Sequence, residues 1–289
     1  MVIPVMKLAI GTAQFGMEYG IANQGGKPSQ KEISSILDLA WDHGMHTIDT
    51  SKAYGNSEEA IGESLCANEK RDWCIVTKID KHHDSIADQL LDSAEKLSVK
   101  PEVLLAHSAP LFLEQRFFEE LLLIKKENLV GKVGVSVYDE EEIIQVMRSD
   151  LKPDIIQVPI NMLDTRLYRS GRLHRLKENG VEVHARSVFL QGLFFLGKAP
   201  LSHRFPEVLP IIERLRGIAK EAMVTLPELS LLWLASLDEV DKIIIGVDQA
   251  KQLEAHVKTL RKMIDPDAFS EALSMCYENE SILNPSLWQ

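Results

Sequence analysis

The sequence predicts a single-domain (β/α)8 barrel, the TIM-barrel architecture, on three observations. Eight short apolar runs rich in β-branched residues alternate with longer amphipathic segments along the chain. The runs are nearly continuous in hydrophobicity, as in parallel strands that are buried on both faces. No linker or change of composition divides the 289 residues, which favours one closed barrel. An open doubly wound sheet is the alternative, but the GxGxxG expected after its first strand is missing.

The predicted strands are separated by segments long enough for the helical crossovers that parallel strands require. They cover residues 6–12, 45–49, 73–79, 102–107, 132–137, 154–158, 181–186 and 242–246.

The segments between the strands carry helix start and stop signals. Ser29 and Glu32 fit a capping box that opens a helix ending before Gly44, and Ser57 is expected to cap a short helix through residue 66. An extra helix over 224–237 should precede the last strand. A C-terminal helix and a loose tail are expected over about 264–289. The remaining predicted helices cover 84–97, 112–127, 139–148, 165–178, 207–223 and 248–263.

Composition excludes several classes of function. The formal net charge of −11 argues against nucleic acid as the main partner, because phosphate binding needs clustered Lys and Arg. Three cysteines without CxxC or metal-ligand spacing indicate a reducing compartment and suggest no metal site. The first residues lack the pattern of a signal peptide, and no apolar run approaches the roughly 20 residues of a membrane helix. A cytoplasmic protein without membrane contact is expected, and its oligomeric state stays open.

Reactive side chains in a TIM barrel belong at the C-terminal ends of the strands. Asp49 ends the second predicted strand, Lys78 lies at the end of the third, and His107 ends the fourth. Tyr54 follows in the loop after Asp49. These four side chains could therefore converge over one mouth of the barrel.

Each of these four residues has a chemical and a structural interpretation. Lys78 is costly to bury without a counter-ion, and Asp49 is its natural partner, so the two could be a structural ion pair or part of a relay. A nearby Lys⁺ would lower the pKa of Tyr54 and make the phenol a usable general acid, unless that ring only packs in its loop. His107 could orient a carbonyl oxygen or serve structure alone. Their coincidence at one mouth favours catalysis.

The sequence resembles the aldo-keto reductases in several separated segments that fall in order on the predicted strands. IDTSKAYG (48–55) is similar to the family segment with the catalytic Asp and Tyr, VTKI (76–79) to that with the Lys, and LLAHSAP (104–110) to that with the His. GKVGVSV (131–137), IIQVPIN (155–161) and IIIGVDQAKQLEAH (243–256) resemble cofactor-binding strands and the last cofactor-binding helix.

The resemblance implies reversible hydride transfer between a nicotinamide cofactor and a carbonyl carbon, with no metal. Asp49 and Lys78 would tune Tyr54, which would protonate the developing alkoxide, while His107 would hold the carbonyl oxygen. The alternative is a catalytically weak barrel that binds a dinucleotide as a sensor or subunit, since barrels host many functions.

The resemblance also implies a cofactor site. Gly11 and Thr12 would lie near the nicotinamide, with Asp49 beside them, and Ser136 and Gln157 would hold its carboxamide or merely cap strand ends. Val137 departs from the Asn that the family often has after the serine.

A second departure lies at the end of the seventh strand, where the family commonly has an aromatic ring that stacks on nicotinamide. Here the position is Arg186, followed by Ser187. A guanidinium can stack on an aromatic plane, but a cation is unfavourable beside oxidised nicotinamide. A contact with the cofactor, a contact with a substrate anion and a structural salt bridge all stay open.

The loop after the last strand bears on the choice of cofactor. The family at large favours NADP(H), whose 2′-phosphate is usually held by basic residues. Here the positions read Gly246, Asp248 and Gln252, which makes NAD(H) usable as well. Lys251 could turn toward the phosphate or lie on a solvated helix face.

Signals for the substrate are weaker. Phe15 and Tyr19, in a glycine-rich loop, are expected to line the substrate site together with Tyr54 and His107. Four phenylalanines of loop 187–206 and the tail residue Trp288 could line the pocket mouth or pack over the barrel: Phe189, Phe194, Phe195 and Phe205. GTAQFGMEYGIAN (11–23) resembles a bacterial-type subgroup associated with sugar metabolism. The expected substrate is a small aldehyde, ketone or sugar.

Overall fold

Eight parallel strands close into a barrel in which each strand pairs with its neighbours in chain order and β8 pairs with β1. The computed structural model describes residues 4–67, 71–82, 84–275 and 277–288; Cys276, one of the three cysteines, lies outside them. The predicted (β/α)8 barrel is confirmed, and each predicted strand is found within two residues of its predicted bounds. The strands are β1 Leu8–Gly11, β2 Thr47–Asp49, β3 Cys74–Ile79, β4 Val103–Ala106, β5 Lys132–Ser136, β6 Ile155–Pro159, β7 Glu182–Arg186 and β8 Lys242–Gly246.

Helices surround the barrel and also cover part of its mouth. None of the helices in the described ranges is long and apolar enough to cross a lipid bilayer. The α-helices are α1 Ala13–Gly16, α2 Gln30–Asp42, α3 Ser57–Cys66, α4 Ile86–Leu97, α5 Ala109–Leu113, α6 Gln115–Lys126, α7 Glu140–Arg148, α8 Arg166–Arg169, α9 Arg172–Glu178, α10 Lys198–Arg204, α11 Leu209–Glu221, α12 Leu226–Ser236, α13 Ala250–Thr259, α14 Pro266–Leu273 and α15 Glu280–Leu283. Short 3-10 helices span Val5–Lys7, Leu190–Phe195 and Pro285–Leu287.

The alternation of side chains along the strands places the functional residues. Val76 and Leu105 belong to a small apolar cluster separate from the large one between strands and helices, so they face the inside of the barrel. Lys78 lies two residues after Val76 on β3 and therefore points to the same side, one layer nearer the mouth. Asp49, on the neighbouring strand, pairs in register with Val76. The strand period thus brings both charged groups inside the barrel.

Two predicted helix caps differ from the structure. The Ser29 side chain does accept from the Glu32 amide, but the Glu32 carboxylate accepts from Ala250 N and not from Ser29, so the box is not closed. Ser57 is the first residue of α3 and not its cap, which was a wrong prediction. Its hydroxyl is buried and donates to Thr12. Both side chains serve tertiary contacts that local sequence does not encode.

Breaks within predicted helices have local causes. The segment predicted over 165–178 divides at Gly171, which has a φ of +70° and separates α8 from α9. The extra helix before the last strand is confirmed as α12, which Thr225 and Glu228 open with a capping box. The tail is not loose, because the Trp288 ring packs against Phe205 with 4.9 Å between centroids.

Candidate active site

A cavity of about 590 Å³ opens at the C-terminal ends of the strands, a size that suits a small-molecule site. Nearly all of the sequence-predicted site residues line it. They are Gly11, Thr12, Tyr19, Asp49, Tyr54, His107, Ser136, Gln157, Arg186, Ser187, Gly246, Asp248 and Gln252.

Lys78 and Asp49 form a buried ion pair beneath this cavity. Lys78 Nζ donates to Asp49 Oδ1 at 2.6 Å and to the Thr50 carbonyl at 2.8 Å, and the lysine side chain is wholly buried. The second carboxylate oxygen accepts from Gln157 Nε2 at 2.8 Å. Burial lowers the pKa of Lys78, while the charge of Asp49 opposes this effect. Both carboxylate oxygens have donors, which meets the condition for keeping an ion pair in a barrel interior.

Tyr54 lies above the ion pair, with Lys78 Nζ 5.2 Å from its ring centroid. Burial raises the pKa of Tyr54, the negative charge of Asp49 raises it further, and Arg186 opposes both. We expected Lys78 to lower this pKa, but burial and Asp49 outweigh any such effect. The phenol therefore holds its proton firmly and can release it only to a strong base, such as the alkoxide formed when a carbonyl is reduced.

His107 lies beside Tyr54, with 5.7 Å between the ring centroids in an edge-on arrangement. Its Nδ1 is 3.2 Å from the hydroxyl oxygen of Ser51, which fixes the orientation of the ring. Burial lowers the pKa of His107 to about 3, and the charges of Lys78 and Arg186 add to this effect. The imidazole is therefore neutral at physiological pH, and its Nε2 offers an N–H to a ligand in the tautomer whose Nδ1 accepts from the Ser51 hydroxyl.

The rate of aldehyde reduction should consequently show no titration of His107 between about pH 5 and pH 8. Burial and nearby cations disfavour the imidazolium, so this pKa moves downward and out of the physiological window. The measurement is kcat/KM as a function of pH. An inflection near pH 6.5 that disappears in His107→Gln would contradict this interpretation.

Two glycines position the loop that carries Tyr54. A Cβ on Gly16, at the end of α1, would lie 1.6 Å from the Tyr54 carbonyl oxygen, and a Cβ on Gly55 would lie 2.3 Å from the Gly16 carbonyl oxygen. Gly55 also has a φ of +58°. Only residues without a Cβ allow this crossing of two backbones. The sequence showed a glycine-rich loop, but not that one of its glycines determines how closely the backbone of Tyr54 approaches α1.

Gly16→Ala is expected to destabilise the fold by roughly 1–3 kcal/mol. The added methyl group would overlap the backbone of Tyr54, which can move away only by displacing the whole loop. The displaced loop should also lower kcat. Gly217→Ala is the matched control, since its Cβ on the exposed face of α11 would meet nothing within 4 Å. Chemical denaturation of both variants measures the difference; equal midpoints would show that the crossing relaxes freely.

The residues expected to hold a nicotinamide cluster on one side of the cavity. Thr12 Oγ1 donates to the Asp49 carbonyl at 3.0 Å, so this hydroxyl also ties β1 to β2. Gln157 uses its amide N–H on Asp49 and leaves its carbonyl oxygen available to a ligand. Gly11 and Gly246 lie side by side at the ends of β1 and β8. A Cβ on Gly246 would overlap the Gln14 carboxamide, which also lines the cavity, so this glycine leaves room for that side chain.

The loop after β8 forms part of the rim of the cavity. The Asp248 carboxylate accepts from Asn23 Nδ2 at 3.3 Å, and Gln252 Oε1 accepts from the Asp248 amide at 2.7 Å. Burial raises the pKa of Asp248, and a hydrogen bond with Gln252 opposes the effect. Gln252 thus supports its own loop, and Asp248 is anchored at the rim.

Arg186 projects into the cavity from the end of β7. Its guanidinium donates to Ser136 Oγ, Ser187 Oγ and the Val137 carbonyl, and it lies over the ring of Tyr138 at 4.3 Å from the centroid. No carboxylate of the described residues lies within salt-bridge distance of it. The salt bridge considered as one interpretation of the sequence is therefore wrong.

Contrary to the expectation from the sequence, Phe15 does not reach the cavity. Its ring is completely buried in the apolar core, and it is not among the described residues that line the cavity. Phe189 and Phe195 do line the cavity, whereas Phe194 and Phe205 pack in the core. The hydrophobic character of Phe15 was the wrong signal, because α1 turns its apolar side inward.

Sequence reasoning missed several lining residues, among them Tyr138, Asn23, Ser286 and His256. The ring of His256 stacks on Phe189 at 4.9 Å, and burial lowers its pKa to about 4. Tyr138 follows Ser136 by two residues, a signal that could have placed it at the end of β5. In the described ranges, no group of three or more His, Cys, Asp and Glu side chains is placed to hold a metal ion.

Comparison with known proteins places the chain in a family. The model of the aldo/keto reductase family matches residues 7–275, so the chain belongs to that family. The family and the composition of the site together support an oxidoreductase.

Two relatives of known name differ in what they do. A probable voltage-gated potassium channel subunit beta from Arabidopsis thaliana is 24% identical over 88% of this chain and 88% of its own length. The L-glyceraldehyde 3-phosphate reductase of Escherichia coli K12 is 27% identical, but the match covers only 45% of this chain and 44% of that protein.

Solved structures share the fold at low identity. An aldo-keto reductase from Bacillus halodurans, in its holo form, has a TM-score of 0.74 at 18% identity and covers 94% of both chains. An aldo/keto reductase from Klebsiella pneumoniae, solved with NADP and acetate, has a TM-score of 0.69 at 18% identity, over 92% of this chain and 89% of its own.

Proposed function

We propose that this protein is an NAD(P)-dependent aldo-keto reductase that transfers hydride reversibly between the cofactor and the carbonyl of a small aldehyde, ketone or sugar. One observation carries the proposal: Tyr54 and His107 face one cavity above the buried Lys78–Asp49 pair. The raised pKa of Tyr54 and the lowered pKa of His107 favour the neutral form of both groups. This combination supplies a proton donor and a neutral hydrogen-bond donor at one site.

The cavity fits a nicotinamide cofactor. The Gln157 carbonyl oxygen and the Ser136 hydroxyl could bind its carboxamide. When bound, the cofactor supplies or accepts the hydride. The relative solved with NADP supports such a cofactor for this fold.

The residues of this chain would then protonate and orient the carbonyl oxygen of the substrate. Tyr54 donates its proton to the oxygen as negative charge develops on it, because the alkoxide is more basic than the phenolate. His107 donates a hydrogen bond to the same oxygen and orients it. Lys78, whose Nζ lies 5.2 Å from the Tyr54 ring centroid, offsets the charge of Asp49 near the phenolate that remains, and Gln157 holds Asp49 in place.

A second candidate function is a catalytically weak barrel that binds a dinucleotide as a sensor or subunit. The relative described as a channel subunit favours it, since that protein matches most of the chain. A binding protein does not require a proton donor and an oriented imidazole in the same cavity. The arrangement of Tyr54 and His107 therefore favours the enzyme.

A steady-state assay decides between these functions. The purified protein is given NADH or NADPH and a panel of aldehydes, ketones and aldoses, and oxidation of the cofactor is followed. The proposal expects turnover of at least one carbonyl compound. Tight cofactor binding without turnover of any member of the panel would favour the sensor or subunit.

The preference for NADPH over NADH is expected to be weak or reversed. Asp248 places a negative charge at the rim where a 2′-phosphate would need a positive one, and Gln252 turns its carbonyl oxygen to the backbone. One half-exposed charge contributes ~1 kcal/mol, which is about a fivefold bias. Asp248→Arg should shift the ratio of kcat/KM values toward NADPH by about this factor or more.

Glu254→Arg is the matched control for this substitution, because Glu254 lies on the exposed side of α13 and pairs with Lys258. The same change of charge there should leave the ratio unaltered. Wild-type protein that binds NADPH tightly and shows no activity with NADH would contradict the prediction and direct attention to Lys251.

A further inference from the structure

Arg186 is the only lysine or arginine that lines the cavity among the described residues. The other buried cation of the site, Lys78, is neutralised by Asp49. Arg186 has no such partner, although placing an uncompensated cation in a half-enclosed site is costly. The cavity therefore holds one unit of positive charge without a counter-ion, in a chain whose net charge is −11.

The hydrogen bonds of Arg186 leave part of its donor capacity unused. A guanidinium has five N–H groups, and those to Ser136, Ser187 and Val137 use one on each nitrogen. One N–H on each terminal nitrogen has no acceptor among the described residues. The contact with Tyr138 covers one face of the group and holds it in position. A preorganised pair of donors of this kind matches a carboxylate or a phosphate.

Glu142, a carboxylate whose charge acts on Arg186, is hydrogen-bonded elsewhere. The Glu142 carboxylate accepts from the Tyr138 amide at 2.5 Å and does not form a salt bridge with Arg186. Its charge interacts with Arg186 only at longer range. An anion that enters the cavity could thus bind a guanidinium that forms no salt bridge with a carboxylate of the described residues.

The position of Arg186 indicates which anion this would be. It lines the same cavity as Tyr54, His107 and Tyr19, and its charge opposes the raised pKa of Tyr54. The residue therefore lies near the proposed reacting groups. The rim at Asp248, where the far end of a dinucleotide would lie, belongs to a different strand end.

We propose that Arg186 binds an anionic group of the substrate, a carboxylate or a phosphate ester, so that the enzyme prefers anionic carbonyl compounds over neutral ones. This inference rests on the proposed function and narrows its substrate class. Binding the anion places the carbonyl of the same molecule within reach of Tyr54 and His107. Ser136, which receives the Arg186 Nε hydrogen bond, fixes the guanidinium from behind.

The test compares substrates that differ in charge. Glyceraldehyde 3-phosphate is paired with glyceraldehyde, and succinic semialdehyde with butanal, so that one arm probes a phosphate and the other a carboxylate. The ratio of kcat/KM for anionic over neutral substrate should exceed about tenfold in at least one pair of the wild type. Arg186→Gln should reduce that ratio to near one, and Arg186→Lys should keep part of it. Each ratio is taken within one variant, so a general loss of activity cancels.

Arg172→Gln is the matched control. It removes the same charge from an ion pair with Glu140 outside the cavity, and the ratio should stay at the wild-type value. A wild-type ratio near one in both pairs, or an unchanged ratio in Arg186→Gln, would overturn the proposal. So would a cofactor Kd raised more than about tenfold with no change in the ratio, because Arg186 would then bind the cofactor phosphates.

A binding measurement separates this inference from the proposed function. Calorimetry on Tyr54→Phe, with and without Arg186→Gln, gives the Kd of each compound without turnover. Stronger binding of the anion that depends on Arg186 supports the inference even if no carbonyl is reduced. Equal binding of charged and neutral compounds overturns it even if the protein proves to be a reductase.

Discussion

Tyr54→Phe is expected to lower kcat for carbonyl reduction by about 10²–10⁴-fold, the usual contribution of a positioned proton donor. The substitution removes one oxygen and retains the ring, which packs edge-on against His107. The Kd of the cofactor should therefore change by less than about threefold, or about 0.7 kcal/mol. Single-turnover measurements of hydride transfer and fluorescence titration of the cofactor separate the two effects.

Tyr168→Phe is the control for this prediction. Its ring packs against Trp233 away from the cavity, so the loss of that phenol should leave kcat near the wild-type value. Wild-type kcat in Tyr54→Phe would remove Tyr54 from the mechanism. Weaker binding of the cofactor with a normal rate of hydride transfer would instead show that the Tyr54 hydroxyl binds the cofactor.

The strands were predictable because their signal is local. A parallel strand buried on both faces reads as a short apolar run, and VTKI, LLA and IIQV read in this way without knowledge of their neighbours. Strand ends then placed Asp49, Lys78 and His107 near one another, since parallel strands end at the same edge. The cavity lined by Asp49 and His107, with Lys78 bound to Asp49 beneath it, follows from that rule.

The errors concern residues whose roles depend on contacts distant in sequence. Ser57 has the composition of a cap, but its hydroxyl bonds to Thr12 on another strand end. Phe15 lies in α1, between Ala13 and other residues that reach the cavity, yet its ring points into the core. The guanidinium of Arg186 could not be assigned from sequence, because its acceptors come from the end of β5 and from its own neighbour.

The direction of the pKa shift of Tyr54 could also not be predicted from the sequence. The proximity of a lysine was predictable, but not that Lys78 would be bound to Asp49 and Thr50 while the phenol became enclosed. Whether a neighbouring charge or burial decides a pKa depends on distances of a few ångströms, and these are set by the packing of the whole mouth.

Lys78→Met is the second substitution with a large expected effect, and it should act on stability and catalysis together. It leaves the buried Asp49 carboxylate with only Gln157 as a side-chain donor among the described residues. Loss of one partner of a buried ion pair typically costs about 3–5 kcal/mol in the free energy of unfolding. The charge of Asp49 already raises the pKa of Tyr54, and without its counter-ion it should raise that pKa further.

Alcohol oxidation is the direction in which this shift is measurable. There Tyr54 must lose its proton, so the rate rises with pH toward the pKa of the phenol, and a higher pKa makes the reaction slower at any given pH below it. We expect the rising limb of the kcat profile to move to higher pH in Lys78→Met, in addition to a lower kcat. An unmoved profile would show that Lys78 does not act on Tyr54 electrostatically, even if both residues are essential.

The double variant Asp49→Asn with Lys78→Met distinguishes charge from structure. With both charges removed, no unpaired ion stays buried, and most of the lost stability should return, because a neutral pair at such a site is often tolerated. The limb of the pH profile should move back toward lower pH than in Lys78→Met, since the neutral amide that replaces the carboxylate cannot repel a phenolate. The kcat should stay low, because the cation next to the Tyr54 ring is gone and only Arg186 remains to stabilise the phenolate after proton transfer. Recovery of kcat together with stability would mean that the ion pair only supports the barrel, and that Tyr54 is tuned by burial and Arg186 alone.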